Sequence, residues 1–389
     1  MTAACEAVLP GGQPPNPRPG ASRQTPEAGS DYHRGSHRGL LVRAAVADAR
    51  PADVDAIIVP TARPAVYLRN AFALGRELGC PLVALCSKRS RAWEVEKLAR
   101  HAGVTVIAVD TDRLPHRQMP DFETTEMVRG TRFSRLTDTS FKRNLGLLLA
   151  RIAGWQRIVF LDDDITVPIP GNLRDAAGLL ERHATAGLAN GGFPDNSVVC
   201  HAYRASGGPQ DTFIGGGALA VSVGGCTTFF PSIYNEDWFF LLDDDRLRPA
   251  AVTGLAVQAP YDPYADVRRA RAEELGDCLA EGVFGLLDIG CRIADATAGY
   301  WRDFLVRRRL FIDEVIGRVR AMDAEPAERA QMIAALKAAR GRSWLIEPEL
   351  CAGYLKAFQA DRDAWRCYLD GPGPEKVVAE LGLAHRLRS

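Results

Sequence analysis

The segment RIVFLDDDITV, residues 157–167, places three aspartates directly after a run of β-branched and large apolar residues. Such a run predicts a buried strand, and repulsion and desolvation both oppose three ionised carboxyls at its end. Asp162, Asp163 and Asp164 are therefore expected to face water or to contact a cation. Carboxylates suit a hard divalent cation such as Mg²⁺ or Mn²⁺, which would remove the repulsion.

Strands alternate with helices on the N-terminal side of this segment. The pattern predicts strands over residues 55–60, 81–86, 104–110 and 157–162, and helices over residues 64–78, 90–103 and 140–154. The alternation indicates right-handed βαβ units, and hence an α/β fold with a mostly parallel sheet flanked by helices. Such sheets bind ligands at the carboxyl ends of their strands, where the aspartates would lie.

The chain divides into three parts by composition. Residues 1–50 are predicted to be a disordered tail, because the first 38 are rich in Pro, Gly, Ser and Arg and show no apolar period. Residues 51–265 carry the alternating pattern and are expected to form one α/β domain. Residues 266–389 show helical spacing and predict a helical C-terminal region.

Charge and composition exclude several classes of protein. Lys+Arg and Asp+Glu number 48 each, so nothing indicates a nucleic-acid binder. No apolar run approaches the roughly 20 residues of a membrane span, and no secretory signal pattern begins the sequence. The nine cysteines lack CxxC spacing and are expected to be buried, reduced thiols. A cytoplasmic location is therefore predicted.

The helix that precedes the acidic strand carries two cations in its first turn, Lys142 and Arg143. Cations at a helix N-terminus oppose the macrodipole, so they fit better with an anionic ligand nearby than as helix stabilisers. A solvated pair of charges is the alternative, and the helix alone leaves it open.

Four segments together resemble GT-A glycosyltransferases, family 2 and its relatives, over residues 54–245. SFKRNLGLLLARIAGWQRIVFLDDDI (140–165) is similar to the segment in which an Arg-Asn-x-Gly helix leads into a strand ending in DxD. IIVPTARP (57–64) resembles the first nucleotide-binding loop. FIGGGALAVS (213–222) and YNEDWFF (234–240) resemble the glycine-rich segment and the late Glu-Asp motif.

The resemblance implies a GT-A, Rossmann-like fold, with residues 51–265 as the nucleotide-sugar-binding and catalytic domain. It also implies metal-dependent transfer of a sugar from a nucleotide-diphosphate donor to an unknown acceptor hydroxyl. It implies Asp164 and Asp162 as ligands of Mg²⁺ or Mn²⁺, and Asp237 with Glu236 as the catalytic carboxylates near the acceptor. The nucleotide-sugar-binding residues that it implies are Pro60, Thr61, Arg63, Lys142, Arg143, Asn144, Asp162, Asp163, Gly216 and Gly217.

Two features depart from the family pattern. Some relatives supply a histidine metal ligand after the late motif, but the only histidine beyond His201 is His385. Asp262, in PYDPYAD, or a water molecule is expected to take that place. Asp237 acts as a base only if the reaction inverts the anomeric configuration.

Two other functions stay open. IVFLDDDIT also matches the haloacid-dehalogenase pattern, with Asp162 as nucleophile and Asp164 as general acid of a phosphatase. That family needs a cation to hold the phosphoryl group, usually a lysine, and no lysine occurs between Lys142 and Lys337. The second alternative is a catalytically inactive nucleotide-sugar-binding module of the same fold.

Three further patterns have unremarkable interpretations. His201 follows SVVC and is expected to be a strand histidine with satisfied hydrogen bonds. The second acidic run, residues 243–245, is interpreted as a solvated helix end. The arginine run, residues 307–309, is interpreted as a solvated helix face, with peripheral contact with anionic lipid as the alternative.

Overall fold

The computed structural model describes residues 40–44, 50–113, 119–193, 197–209 and 214–383. Most of the predicted tail, residues 1–39 and 45–49, lies outside the described residues, as does His385. No helix within these ranges combines the length and the apolar character that a bilayer span needs. The cytoplasmic location stays a prediction.

Nine strands and twelve α-helices occur in the described part of the chain. The strands are β1 (Val42–Arg43), β2 (Ala56–Thr61), β3 (Leu82–Cys86), β4 (Val106–Asp110), β5 (Arg157–Leu161), β6 (Ile165–Thr166), β7 (Thr185–Gly192), β8 (Ala218–Ser222) and β9 (Ala250–Gln258). The helices are α1 (Arg69–Leu78), α2 (Ala92–Ala102), α3 (Glu123–Val128), α4 (Thr139–Ala153), α5 (Gly171–Leu179), α6 (Val198–Ala205), α7 (Glu236–Phe240), α8 (Val267–Asp288), α9 (Ala298–Ala321), α10 (Pro326–Ser343), α11 (Pro348–Asp370) and α12 (Gly373–Glu380).

All the strands belong to one sheet, in the order β1-β9-β7-β8-β5-β2-β3-β4, with β6 paired to β9. β8 runs antiparallel to both of its neighbours, and the other pairs along this order are parallel. The predicted α/β fold with a mostly parallel sheet flanked by helices is therefore confirmed. The four predicted strands and the helices over 90–103 and 140–154 are confirmed to within two residues. The helix predicted over 64–78 begins instead as a 3₁₀ turn at Ala65–Leu68.

The strand order reverses next to the acidic segment. β3 and β4 lie on one side of β2, whereas β5, which follows them in the chain, lies on the other side. The carboxyl ends of β2 and β5 therefore flank a topological switch point, where open α/β sheets bind ligands. Gly146 lets α4 approach this part of the sheet, because a Cβ there would lie 2.8 Å from Cγ2 of Ile58.

Helices cover both faces of the sheet. α1, α2 and α5 pack on one face, where β-branched and small residues of β2, β3 and β5 form a first apolar cluster. A second cluster joins the other face to α4 and to the C-terminal helices. It includes Ile58, Leu148, Phe160, Phe284, Trp301 and Trp365. The division at residue 265 stays a prediction: it falls between β9 and α8, but one apolar core runs across it.

The segment SVVC does not form a strand. Residues 198–205 form α6, and the Oγ of Ser197 accepts a hydrogen bond from the N–H of Cys200 at 3.3 Å. A serine cap satisfies an N–H group that the first helical turn would otherwise leave unpaired. His201 is thus a buried helix residue, and its Nε2 lies 2.9 Å from the Oη of Tyr261.

Two predictions of solvated charge hold only in part: the Asp243 and Asp244 side chains are 44% and 72% exposed, yet both pair with a buried arginine, and one arginine of the run is buried. Arg362 of α11 is buried and lies 2.9 and 2.8 Å from carboxylate oxygens of Asp243 and Asp244. The second acidic run therefore pairs with the C-terminal helices. Arg308, the middle residue of the arginine run, is only 3% exposed and contacts Glu274 of α8, whereas Arg307 is exposed. The described cysteines are free thiols, and most are buried, as predicted.

Candidate active site

Asp163 and Asp164 face the end of β2. The Oγ1 of Thr61 donates a hydrogen bond to Oδ2 of Asp163 at 2.6 Å. The guanidinium of Arg63 lies between the two carboxylates, with Nε 3.1 Å from Oδ1 of Asp163 and Nη2 2.5 Å from Oδ2 of Asp164. Burial raises the pKa of Asp163 although Thr61 and Arg63 lower it. Residues 162–164, called the acidic edge here, therefore already contact one cationic side chain.

Asp162 contacts a different arginine, on α4. Nη2 of Arg143 lies 3.0 and 3.1 Å from the two carboxylate oxygens of Asp162, and Nη1 lies 2.9 Å from Oε1 of Glu236. The other Glu236 oxygen accepts from Nη1 of Arg135 at 2.7 Å. Burial alone would lower the pKa of Arg143, but the two carboxylates raise it above its usual value. A buried chain of charges thus joins the end of β5 to the first turn of α7.

The glycine-rich segment leaves room for this arginine. A Cβ on Gly216 would lie 2.4 Å from Nη1 of Arg143, closer than atoms in contact can approach. The carbonyl of Gly217 accepts the N–H of Asp162 at 2.9 Å, which ties the acidic turn to the same segment. The glycines therefore let the protein place a guanidinium beside the backbone.

Lys142 lies beneath the sheet edge and does not face the cleft. It is 1% exposed, and its Nζ donates to the carbonyl of Thr61 at 2.8 Å and to Oγ of Ser87 at 2.6 Å. Asp138 supplies the countercharge at 3.0 Å. Burial lowers the pKa of Lys142 although Asp138 raises it. The lysine joins the ends of β2 and β3.

Asn144 clamps a distant backbone segment. Its side-chain amide donates to the carbonyl of Phe230 at 2.9 Å and accepts from the N–H of the same residue at 2.7 Å. The Phe230 ring stacks on Phe240 with centroids 4.0 Å apart, and the Arg143 guanidinium lies 5.5 Å from the Phe230 centroid. The Arg-Asn-x-Gly helix therefore uses its polar residues internally.

Asp237 lies in the first turn of α7, next to the glycine-rich segment. Its Oδ2 accepts from the N–H of Gly216 at 2.7 Å, and its Oδ1 accepts from the next residue's N–H at 3.0 Å. Burial, with Glu236 adding to it, raises the pKa of Asp237 to about 6, while Arg143 opposes the shift. A carboxyl with this pKa can exchange a proton near neutral pH.

A cleft of about 540 Å³ opens at the switch point. Its wall includes the predicted residues Pro60, Arg63 and 162–164, together with residues 258–262, which begin at the last residue of β9. Asp262, the residue expected to complete a metal shell, belongs to this wall. The other predicted residues do not line the cleft: they are Thr61, Lys142, Arg143, Asn144, Gly216, Gly217, Glu236 and Asp237.

The wall opposite the acidic edge was not anticipated from the sequence. Arg269 of α8 lines the cleft, and its Nη2 donates to Oη of Tyr261 at 3.0 Å while the guanidinium lies 4.4 Å from the tyrosine ring centroid. Glu273 binds the same arginine at 2.5 Å. Burial and Arg269 lower the pKa of His201 to about 4, so its imidazole is neutral near pH 7. The PYDPY segment after the last long strand was the only signal for this wall.

The acidic edge suits a divalent cation whose coordination shell is only partly supplied by the protein. The Arg63 guanidinium shows that Asp163 and Asp164 accept a cation, and carboxylate oxygens are the ligands that Mg²⁺ and Mn²⁺ prefer. The side chains of Asp162 and Asp164 are 29% and 18% exposed. The three carboxylates do not converge on one point, so water and substrate oxygens would have to complete the shell.

One compact group of potential metal ligands occurs in the described residues, and it lies elsewhere. Cys200, Asp277 and Glu281 bring their ligand atoms within 4.8 Å of one another. Arg308 already lies 2.5 Å from Asp277 and supplies a positive charge there. This group is therefore explained by an internal ion pair.

Comparisons with known proteins find similarity in structure alone. No family model and no curated protein matches the chain. Glucosyl-3-phosphoglycerate synthase from Mycobacterium tuberculosis, solved with Mn²⁺, UDP and phosphoglyceric acid, is 16% identical, with a TM-score of 0.34 over 54% of this chain and 72% of that chain. The mannosyltransferase PcManGT from Pyrobaculum calidifontis, solved with GDP-Man and Mn²⁺, is 14% identical, with a TM-score of 0.38 over 81% and 89%. Similarity at this level does not establish what this chain binds.

We predict that Gly216→Ala destabilises the protein, because its Cβ would displace the buried Arg143 guanidinium from its two carboxylate partners. The free energy of unfolding, measured in urea, should fall by about 1–3 kcal/mol, the usual cost of overpacking. Gly215→Ala is the matched control, since a Cβ there has its nearest neighbour at 3.7 Å. Equal effects of the two substitutions would contradict the proposed space requirement.

We predict that Asp237→Asn stabilises the protein increasingly as pH rises. The folded-state pKa of about 6 exceeds the ordinary value of 3.8, so the folded wild type binds the proton more tightly than the unfolded chain does. Its stability contribution is therefore full below about pH 4 and is lost as pH rises through about 6. The stability difference between variant and wild type should grow by about 1 kcal/mol between about pH 5 and pH 7.5 in urea unfolding. A pH-independent difference would show that burial does not perturb this carboxyl.

Proposed function

We propose that this protein is a metal-dependent glycosyltransferase that moves a hexose from a nucleotide-diphosphate donor to an acceptor hydroxyl. The observation that supports this most is the acidic edge of residues 162–164 in a cleft at the switch point, joined through Arg143 to the carboxylate pair of α7. The cleft thus has a cation-binding edge for a diphosphate, and a proton acceptor, Asp237, is linked to this edge through Glu236 and Arg143.

Asp164 and Asp162 would hold Mg²⁺ or Mn²⁺, with Asp262 or water completing the shell. When bound, the metal neutralises the leaving diphosphate. Asp163 has a different role, because Thr61 and Arg63 hold it against the end of β2. Its carboxylate fixes the geometry of the turn that presents its two neighbours.

Pro60 and Arg63 would contact the nucleotide directly, since both line the cleft. Arg63 is 42% exposed and would pair with the diphosphate when a metal takes its place between the carboxylates. Lys142 and Arg143, whose side chains are buried in internal pairs, act as positioning residues rather than as diphosphate ligands. Asn144 likewise positions residue 230.

Asp237 would take the proton from the acceptor hydroxyl, on the premise that the reaction inverts configuration. Each of its oxygens accepts one backbone hydrogen bond, which orients the carboxylate and leaves a lone pair on each oxygen. Above about pH 6 it is ionised and able to act as a base. Glu236 is a positioning residue, because its two oxygens are bound by Arg143 and Arg135.

The geometry favours a transferase over the alternative phosphatase. A phosphatase of the haloacid-dehalogenase type would need a cation, usually a lysine, to hold the phosphoryl group, but Lys142 is buried and its Nζ binds the carbonyl of Thr61 and Oγ of Ser87. Thr166, the last residue of that motif, accepts a hydrogen bond from Asn70 at 2.8 Å. The second alternative, an inactive nucleotide-sugar-binding module, would bind the donor without turning it over. A measurement of sugar transfer therefore distinguishes it from a transferase.

We predict that the wild type binds nucleotides and hydrolyses or transfers nucleotide sugars only with Mn²⁺ or Mg²⁺, in a screen of UDP-, GDP- and dTDP-sugars. Asp164→Asn should abolish the metal-dependent part of nucleotide affinity measured by calorimetry, because it removes a charged ligand. Asp245→Asn, in the exposed part of the second acidic run, is the control. Metal-dependent affinity that survives Asp164→Asn would exclude the proposed ligand.

We predict that Asp237→Asn lowers kcat for sugar transfer about 10²-fold or more while donor affinity changes little, the usual result of removing a general base. Full transfer activity in this variant would exclude Asp237 as the base and leave the transferase intact. A covalent beryllofluoride-trapped adduct on Asp162, with hydrolysis of simple phosphomonoesters, would instead identify a phosphatase.

A further inference from the structure

The turn that begins α7 has an unusual backbone. Asn235, immediately before Glu236, adopts φ 61° and ψ 35°, in the left-handed region. Only one other non-glycine residue in the described ranges, Lys88, has a positive φ. Asparagine tolerates this region better than most residues, but surrounding contacts must still hold it there. The direction in which α7 presents Asp237 depends on this residue.

The contact that holds Asn235 comes from the C-terminal helical region. Its Nδ2 donates a hydrogen bond to Oδ1 of Asp277, on α8, at 3.2 Å. Oδ2 of the same aspartate accepts from Nη2 of Arg308, on α9, at 2.5 Å. Arg308 also forms a double contact with Glu274, at 3.1 Å for each bond. A continuous series of buried polar contacts therefore runs from α9 through α8 to the turn.

The backbone of α8 lies directly against the same turn. A Cβ on Gly276 would lie 2.2 Å from the carbonyl oxygen of Tyr234, so only glycine permits this approach. The Trp238 ring, one residue beyond Asp237, packs on Phe284 of α8 with centroids 4.9 Å apart. The turn before α7 and the middle of this short helix thus both rest on α8.

The opposite side of the turn is held by the catalytic part of the chain. Arg143 and Arg135 bind Glu236, and the N–H of Gly216 binds Asp237. α7 is therefore fixed between two independent sets of contacts. One set belongs to the acidic edge and the other to α8 and α9.

We infer that Arg308, Asp277 and Asn235 are positioning residues for sugar transfer, and that the C-terminal helical region serves to orient Asp237. The inference rests on the proposed function, in which Asp237 is the base. A general base must lie within hydrogen-bond reach of the proton that it accepts, and small displacements of such groups reduce turnover strongly. Asn235 and Asp237 do not line the donor cleft, so the affinity for the donor should be kept.

The decisive variant is Asn235→Gly. Glycine adopts the left-handed conformation without strain, so only the side-chain bond to Asp277 is lost. We expect kcat for transfer to fall about tenfold or more, with donor affinity changed by less than about twofold. In protein labelled with 5-fluorotryptophan, the ¹⁹F resonance of Trp238, assigned by Trp238→Phe, should shift or broaden, which reports movement of the turn without any substrate.

Arg308→Gln and Arg308→Lys test the far end of the series. Glutamine should reproduce the loss of kcat, and lysine, which keeps the charge, should restore part of it. Arg307→Gln is the matched control, since this neighbour on the same helix is exposed. If Arg308→Gln does not fold, Asn235→Gly alone decides, because it changes no buried charge.

Unchanged kcat together with an unchanged Trp238 resonance in Asn235→Gly would overturn the inference. Parallel losses of stability, donor affinity and kcat would also overturn it, because they indicate a general structural role. If the wild type transfers no sugar from any donor, the proposed function fails separately. The Trp238 resonance then still shows whether α8 and α9 control the turn.

Discussion

The rest of the structure depends on one buried guanidinium. Arg143 lies between Asp162, at the end of β5, and Glu236, at the start of α7, so it fixes the distance between the two acidic motifs. Removing one partner of a buried charge pair typically costs about 3–5 kcal/mol, because the other charge is left uncompensated. The glycine at position 216 follows from this constraint, since any side chain there would occupy the space of the guanidinium.

The edge of the sheet separates residues that hold the strands in position from residues that are available to bind a ligand. Buried groups behind it, such as Lys142 and Thr61, join the ends of neighbouring strands. Groups in front of it, such as Arg63 and Asp164, remain partly exposed and form an ion pair at the edge of the cleft. Charged residues close in sequence therefore have different roles, according to which side of the edge their side chains reach.

The C-terminal helices complete the α/β part of the molecule. They share its second apolar cluster, and their charges pair with acidic residues of the segment that follows β8. Arg362 and Arg308 are buried and each contacts two acidic residues. Burial of this kind is tolerated because the opposite charges are supplied by the neighbouring elements. The helices consequently contact the candidate site through the turn that precedes α7.

Local pattern in the sequence determined the alternating strands and helices, the mostly parallel sheet and the position of the acidic run at a strand end. These features depend on side-chain periodicity over a few residues, which the sequence displays directly. Tertiary structure decided which charges are solvated and which are paired. Arg143 meets Glu236 across 93 positions, and Arg308 is buried between two exposed or half-buried arginines. Pairing of charges depends on distance in space, which the sequence does not display. The SVVC segment is a second case in which local pattern was insufficient, because its two valines predict a strand whereas Ser197 caps the helix α6 there.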